Sequence, residues 1–521
     1  MSERVQEEIM KNKLLVVISV SLIHVLGIQS AFSADAYMPE LSVPVQQNEV
    51  IFMATEPGIS QNFNWLSVQP GRAALGENRG NWINCTGTQD PNCDLNNPGP
   101  DGIVGNLILP YCQSASQKHC VESLAFSKGE AEFEEAEFIR EAVGAKTFAA
   151  DESVNFPGAG NNSIWRSKNA EHAGGSNYVV SVRLGVGLFP GNRKFVANYL
   201  NAVVTPYREV SGNYSPTLLS GQTNVCLFVE TGKCGYPQDF PSEVRVKLKF
   251  RVSNELGGWF QGRLKNPNIS VDPVDNLTNK ITLDAEPVKV PRTYFIKNRS
   301  QFNNQELSWF ANQGSWGTGN GMASGVDAGH PEIFDFINYL RPMTKDTASG
   351  TNTFWSLTTT KWGSGSSCLT DTKKVLGIVT TNSMGYDGNA PSFVKGTLDY
   401  KVTGLHYLPD GVTESIGTYN LVMRSDTARC LYGFTSAPIQ ATVTIVSGNA
   451  ATLVGTTTVS EKDGWLKLAA YGFTFSEKTL KVKITQPKNQ KYSISCIKGK
   501  VTKKVTGTKP KCPAGYKLRT N

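Results

Sequence analysis

Two sets of residues in this 521-residue chain have types and spacing that could do chemistry: a group of lysines near the C-terminus and ten cysteines. From Glu477 onward thirteen Lys or Arg face one acid, a surplus of twelve. The whole chain carries +7, so everything before that point sums to −5. A nearly unopposed positive field of this kind draws polymers that bear phosphate or carboxylate groups. Lys498, Lys500, Lys503, Lys504, Lys509, Lys511 and Lys517 are the candidate contacts for such an anionic cell-wall polymer or glycan. They alternate with Val, Thr, Gly and Pro instead of lying along a helix face. The plainer reading is a solvated, solubilising tail. Cys496 and Cys512 favour a folded module, because a ring closure is wasted on a mere spacer.

The cysteines read as structural disulfides. Cys85 and Cys93, Cys112 and Cys120, and Cys226 and Cys234 are each eight apart, which leaves Cys368 with Cys430 and Cys496 with Cys512. Spacing alone leaves connectivity open. Pairing between neighbours is favoured because short separations close at low entropic cost. No Cys-x-x-Cys occurs, which argues against a metal knuckle. One other metal pattern is present: Asp90, Asn92, Asp94 and Asp101 follow the spacing of a calcium loop. Leu95 stands where such loops need Gly, and no flanking helix is evident, so a disulfide-pinned turn is the preferred reading. No cofactor is otherwise implied.

Catalytic signatures are missing. Gly-x-Ser-x-Gly, His-Glu-x-x-His and the phosphate-loop pattern do not occur. His119, His172, His330 and His406 are scattered singly. A carboxylate pair for glycoside hydrolysis needs spatial and not sequential proximity, so sequence distinguishes none. If a hydrolytic site exists, its place is the Trp- and Gly-rich stretch from Phe302 to His330, with Trp309 and Trp316.

The N-terminus carries an export signal over residues 1–36. Lys11 and Lys13 precede the apolar run Leu14–Ile28, and Ala31-Phe32-Ser33 and Ala34-Asp35-Ala36 offer small-residue cleavage sites. The acidic stretch before Met10 is unlike a leader, which makes Met10 an alternative start. The run falls short of the ~20 residues a spanning helix needs, and no later segment is apolar enough to cross a membrane. Disulfides accord with an oxidising compartment.

The tail pattern Cys496-Ile-Lys-Gly-Lys, Lys503-Lys504-Val-Thr and Lys511-Cys512-Pro-Ala-Gly-Tyr516-Lys517 resembles the terminal module of secreted actinobacterial proteins of unknown function. The stretch from Arg424 to Phe434, through Asp463-Gly-Trp465 to Tyr471-Gly-Phe473, is similar to the domain that often precedes it. The resemblance implies a secreted or envelope-associated protein and implies no activity.

The elements that must position these residues are mostly strands. An aromatic content of 10%, 49 Gly, 26 Pro and 18% charged residues exclude a collagen-like or wholly disordered chain. Val50–Met53 and Cys120–Phe126 read as strands, and Gly129–Val143 is ambiguous between strand and helix with an acidic, solvated face. Val244, Val246, Leu248, Phe250 and Val252 alternate with Arg245, Lys247, Lys249 and Arg251 in strict period two. One face of that strand is buried; the other is a basic ladder, suited either to an anionic polymer or to guarding an exposed sheet edge. Glu332–Leu340, entered through Pro331, reads as a short helix. Tyr400–Leu408 and Tyr419–Met423 read as hairpin arms around Pro409-Asp410-Gly411. Residues 441–486 read as a small antiparallel sandwich.

The expected fold is therefore mostly β: multidomain antiparallel β-sandwiches with long loops, few helices and disulfide bonds. The expected domains are residues 37–290, 291–435, 436–490 and a basic disulfide-closed tail at 491–521, with the second boundary at Val290-Pro291-Arg292. Composition and motifs favour a binding or structural protein of the cell envelope over an enzyme. A secreted hydrolase acting on carbohydrate is the alternative, and nucleic acid is the least suited partner.

Overall fold

The strict alternation of Val244–Ser253 is realised as buried Val244, Val246, Leu248, Phe250 and Val252 on one face of a strand. A computed structural model describes residues 49–56, 62–68, 83–99, 101–212, 226–306, 315–318, 321–360, 365–371, 374–433, 440–447, 450–453, 456–475, 478–485, 492–499, 501–507 and 510–518. The segments expected to hold an export signal and an alternative start at Met10 lie outside the described residues. The fold is mostly β and disulfide-bonded, with several sheets and few helices.

Val244–Ser253 is the central strand of a 5-stranded sheet, flanked by Cys120–Lys128 and Thr278–Glu286. Its apolar face packs on a 16-stranded sheet. Val246, Leu248, Phe250, Leu124 and Phe126 join Val182, Leu184, Ala202, Phe260 and Leu357 in one core. Trp355 seals the joint by donating its indole N–H to the carbonyl of Ala285 at 3.1 Å. The basic ladder corrects both sequence readings. The strand is paired on each side and so is not an edge, and its cations are already engaged. Arg245 holds Asp284 at 2.6 Å, Arg251 holds Glu122 at 2.8 Å and Lys249 holds Glu135 at 3.3 Å. Lys247 lies over the ring of Phe133. Asp284 and Glu122 stand on the two flanking strands, diagonally across from their arginines, where opposite charges attract.

The large sheet buries both faces at its far end. Ile378 and Val422 point into the first core, while Val379 and Leu421, their neighbours in sequence, point into a second. That second core also takes Leu398, Tyr400, Val443, Ile445, Leu466, Leu468, Leu480 and Val482. Burial on both faces explains why Val375–Thr381 is buried throughout, with no alternation to read.

The sequence expectations for this region need two corrections. Thr397–Thr403 and Ile416–Arg424 do not form a hairpin: the first pairs with Lys478–Thr485, the second with Val375–Thr381 and Trp465–Thr474. The Asp410 turn exists, with its carboxylate accepting from the amides of Val412 and Thr413, but the arms leave it for different sheets. The segment 441–486 is not a sandwich by itself. Gln440–Ser447 and Lys478–Thr485 lie in a 6-stranded sheet, whereas Thr456–Lys462 and Trp465–Thr474 extend the large one. Both layers are completed by residues 375–424.

A 4-stranded sheet is built from distant segments. Glu49–Thr55 pairs antiparallel with Tyr294–Asn298 and parallel with Gly321–Asp327. Parts of the stretch expected to be a long exposed loop are therefore strands, Ser315–Thr318 and Gly321–Asp327. The sequence GMASGVD has little intrinsic strand preference, so its conformation comes from its partners. The helix is Ile333–Met343, and Ile333, Phe336, Ile337 and Leu340 form its buried stripe against Phe52, Ala54 and Val326. The stretch Gly129–Val143 resolves as strands Glu134–Glu135 and Glu137–Glu141. Val290, Pro291 and Arg292 lie within strand Val288–Arg292, paired with Gly350–Thr359. Strands from both sides of that point share the large sheet, where Gly258–Arg263 sits between Gly350–Thr359 and Val375–Thr381.

Candidate functional site

The lysine-rich terminus folds as a 3-stranded sheet. Tyr492–Lys498 is central, between Val501–Gly507 and the short strand Lys517–Leu518. Gly499 takes a positive φ of 59° in the connecting turn. Cys496 stands opposite Lys503 on one neighbour and Leu518 on the other. Its disulfide to Cys512 pins the returning chain, which a two-residue strand could not hold alone. Strand alternation then sorts the side chains. Lys504 and Lys517 share a face with Ser495 and Ile497, while Lys498 and Lys503 share the other with Cys496 and Val505.

Lys498, Lys503, Lys504, Lys511 and Lys517 are all exposed. None meets an acid among the described residues, and no acid follows Glu477. Lys500 and Lys509 lie outside the described residues. The sheet thus presents cations from both faces, in contrast to the neutralised ladder of Val244–Ser253. So small a sheet has little core of its own beyond buried Cys496. Replacing Cys496 and Cys512 by serine removes about 3 kcal/mol of closure free energy. The expected result is loss of hydrogen-exchange protection at Val505 and Ile494; unchanged protection would show the disulfide to be dispensable.

The other four cysteine pairs close as Cys85–Cys93, Cys112–Cys120, Cys226–Cys234 and Cys368–Cys430. Of the acids with calcium-loop spacing, Asp90 serves the first of these loops. Asp90 accepts from the amide of Thr86 at 2.6 Å and its hydroxyl at 2.8 Å, and from the amide of Asn92 at 2.9 Å. Asp94 accepts from the amide of Asn96, and Asp101 is exposed. Among the described residues no group of three or more His, Cys, Asp or Glu is placed to hold a metal ion. The Asn92 and Thr86 bonds hold the Asp90 carboxyl down at about 2. Its contribution to the turn is therefore complete above the ordinary carboxylate value near 4 and is lost as pH falls through about 2. The amide resonance of Asn92 is expected to titrate near pH 2, and a midpoint near 4 would contradict the bond.

The histidines are built into the framework. His172 accepts from the amide of Gly174 at Nδ1, which leaves Nε2–H to donate to the carbonyl of Asn177, and burial lowers its pKa. Burial brings His119 down to about 4. His406 bridges the carbonyl of Phe475 and Glu414, and His330 accepts from the amide of Glu332. Trp309 lies outside the described residues. Trp316 occupies strand Ser315–Thr318.

Sequence reasoning missed a buried charge cluster. Glu56 is gripped by Arg263 through Nε at 2.8 Å and Nη2 at 2.7 Å, and by Arg292 at 2.8 Å. Arg263 also donates to the carbonyls of Thr381 and Ser383, and Arg292 to that of Ala54. The guanidinium of Arg263 stacks 4.6 Å from the Tyr386 ring centroid. The cluster thus joins the 4-stranded sheet to the large one. A signal was available: an arginine in Gly258–Arg263, a strand apolar enough to be buried on both faces. The two arginines stand 207 and 236 residues from Glu56, and nothing local marks that pairing.

A second buried acid, Glu306, is bound by both oxygens to Lys297, at 2.9 and 2.8 Å, and by the Tyr339 hydroxyl. Burial alone would raise its pKa, but Lys297, Tyr339 and the Asn303 amide hold it below the ordinary range. A glycosidase acid needs the opposite shift. These two carboxylates act as acceptors in fixed ion pairs.

Fold and site together define a disulfide-stapled, mostly β protein with a cationic terminal sheet. No family model, no curated protein and no solved structure matches the chain.

Proposed function

We propose that this is an exported binding or structural protein of the cell envelope, held on an anionic polymer by its C-terminal sheet. One observation carries the reading: four exposed lysines on both faces of a disulfide-closed sheet, and Lys511 in its return loop, without an acid to neutralise them among the described residues. Five disulfides support an oxidising destination. Among the described residues no helix is long and apolar enough to cross a membrane. The terminal pattern, similar to that of secreted actinobacterial proteins, supports the same destination. Wall polymers carrying phosphate and acidic glycans carrying carboxylate both supply the required field. A hydrolase acting on carbohydrate gains no support from Glu56 or Glu306, each fixed by cations.

The test is a pull-down of the full chain on immobilised polyphosphate, polygalacturonate and neutral dextran at low and high salt. Retention on both polyanions at low salt, released at high salt and absent on dextran, is the expected pattern. Equal, salt-insensitive retention on all three would overturn the proposal.

A further inference from the structure

We propose that Arg183 anchors a second site, in the body of the protein, that takes a small carboxylate ligand. Arg183 lies on Asn177–Leu188, an interior strand of the large sheet, between Ile108 on one neighbour and Asn201 on the other. Its side chain points away from the first core, on the same face as Ser181 and Gly185. It is 4% exposed, and both Nε and Nη2 lack a hydrogen-bond partner. No carboxylate pairs with it among the described residues. Among the described residues the titratable group that acts on it is the phenol of Tyr199, a weak partner for a guanidinium. Burial lowers its pKa to about 10, which leaves it protonated at neutral pH.

A buried, charged and unpaired guanidinium is among the most costly groups a fold can hold, so its place calls for an anion. The protein itself shows which kind. Arg263 uses the same edge, Nε and Nη2, to grip both oxygens of Glu56 at 2.8 and 2.7 Å. The two free donors of Arg183 form that same fork, which binds two oxygens of one anion, as Arg263 does with the carboxylate of Glu56. A further polar atom lines the same face. The hydroxyl of Ser181, two residues away and 2% exposed, also lacks a partner and can donate to an anion. The burial of Arg183 would admit only a small molecule, unlike the open terminal sheet that would take a polymer.

The test is a titration of the full chain with carbon-13-labelled acetate, followed by NMR line broadening and by thermal midpoint, against sodium chloride and inorganic phosphate at equal ionic strength. The expected result is a saturable acetate response beyond that of either salt. Arg183→Lys, which keeps the charge and loses the fork, should weaken it at least about tenfold. Arg183→Met should abolish it if that variant folds. The terminal variant with Lys498, Lys503, Lys504 and Lys517 all changed to Gln should keep it in full, which separates this site from the terminal sheet. Identical responses to acetate and chloride, a preference for phosphate, or undiminished binding by Arg183→Lys would each overturn the proposal.

Discussion

Glu56→Gln is expected to destabilise the protein by about 3–5 kcal/mol. The change keeps the shape of the side chain and removes its charge. Arg263 and Arg292, each 1% exposed, are then left facing one another without a counter-charge. Total stabilities of domains are about 5–15 kcal/mol, so the loss is a large share. It should fall on the joint between the 4-stranded sheet and the large sheet, because the cluster connects Ala54 with Thr381 and Ser383. Glu137→Gln serves as the control. It breaks the exposed pair with Arg166, where both side chains are about half open to solvent, and is expected to cost less than about 1 kcal/mol. Denaturant midpoints of the two variants make the comparison; equal shifts would mean that the buried cluster is not a structural joint. Replacing all three charges by apolar residues of similar volume should recover much of the loss, because the penalty comes from the charge left unpaired.

The second large effect concerns binding. Changing Lys498, Lys503, Lys504 and Lys517 together to Gln is expected to lower affinity for an anionic polymer by about two to three orders of magnitude at low salt, at about 1 kcal/mol for each lysine near a charged surface. Because the four occupy both faces of the terminal sheet, no single one should dominate. Stability should hardly change, since all four are exposed and unpaired among the described residues. By contrast, the same treatment of Arg245 and Arg251 should destabilise the protein and leave polymer binding intact, because those cations are spent on Asp284 and Glu122. Surface titration of each variant separates the two outcomes. Equal loss of binding from both sets would remove the special role of the terminus.

What could be read from the sequence were the features whose causes are local. The period-two run at Val244–Val252, the helix after Pro331 and the basic terminus each carry their signal within a dozen or so neighbouring residues. Val375–Thr381 carries none, because burial on both faces erases alternation and leaves an apolar run that fits several structures. Gly321–Asp327 is harder still: Gly, Met, Ala and Ser become a strand only beside Glu49–Thr55, about 270 residues earlier. The ladder Arg245, Lys247, Lys249 and Arg251 was legible as basic but not as neutralised, since its acids come from Glu122, Glu135 and Asp284 on other strands. The same limit hid the Glu56 cluster and the isolation of Arg183. A charge is visible in sequence; its partner, or lack of one, is a property of the fold.

Calorimetric titration of the full chain with polyphosphate over a series of salt concentrations tests electrostatic attachment most directly. If about five lysines displace counterions, log K should fall linearly with log salt concentration, with a slope of about −3 to −4, and the four-lysine variant should keep a slope of only about −1. A wild-type affinity that does not change with salt would contradict attachment by charge.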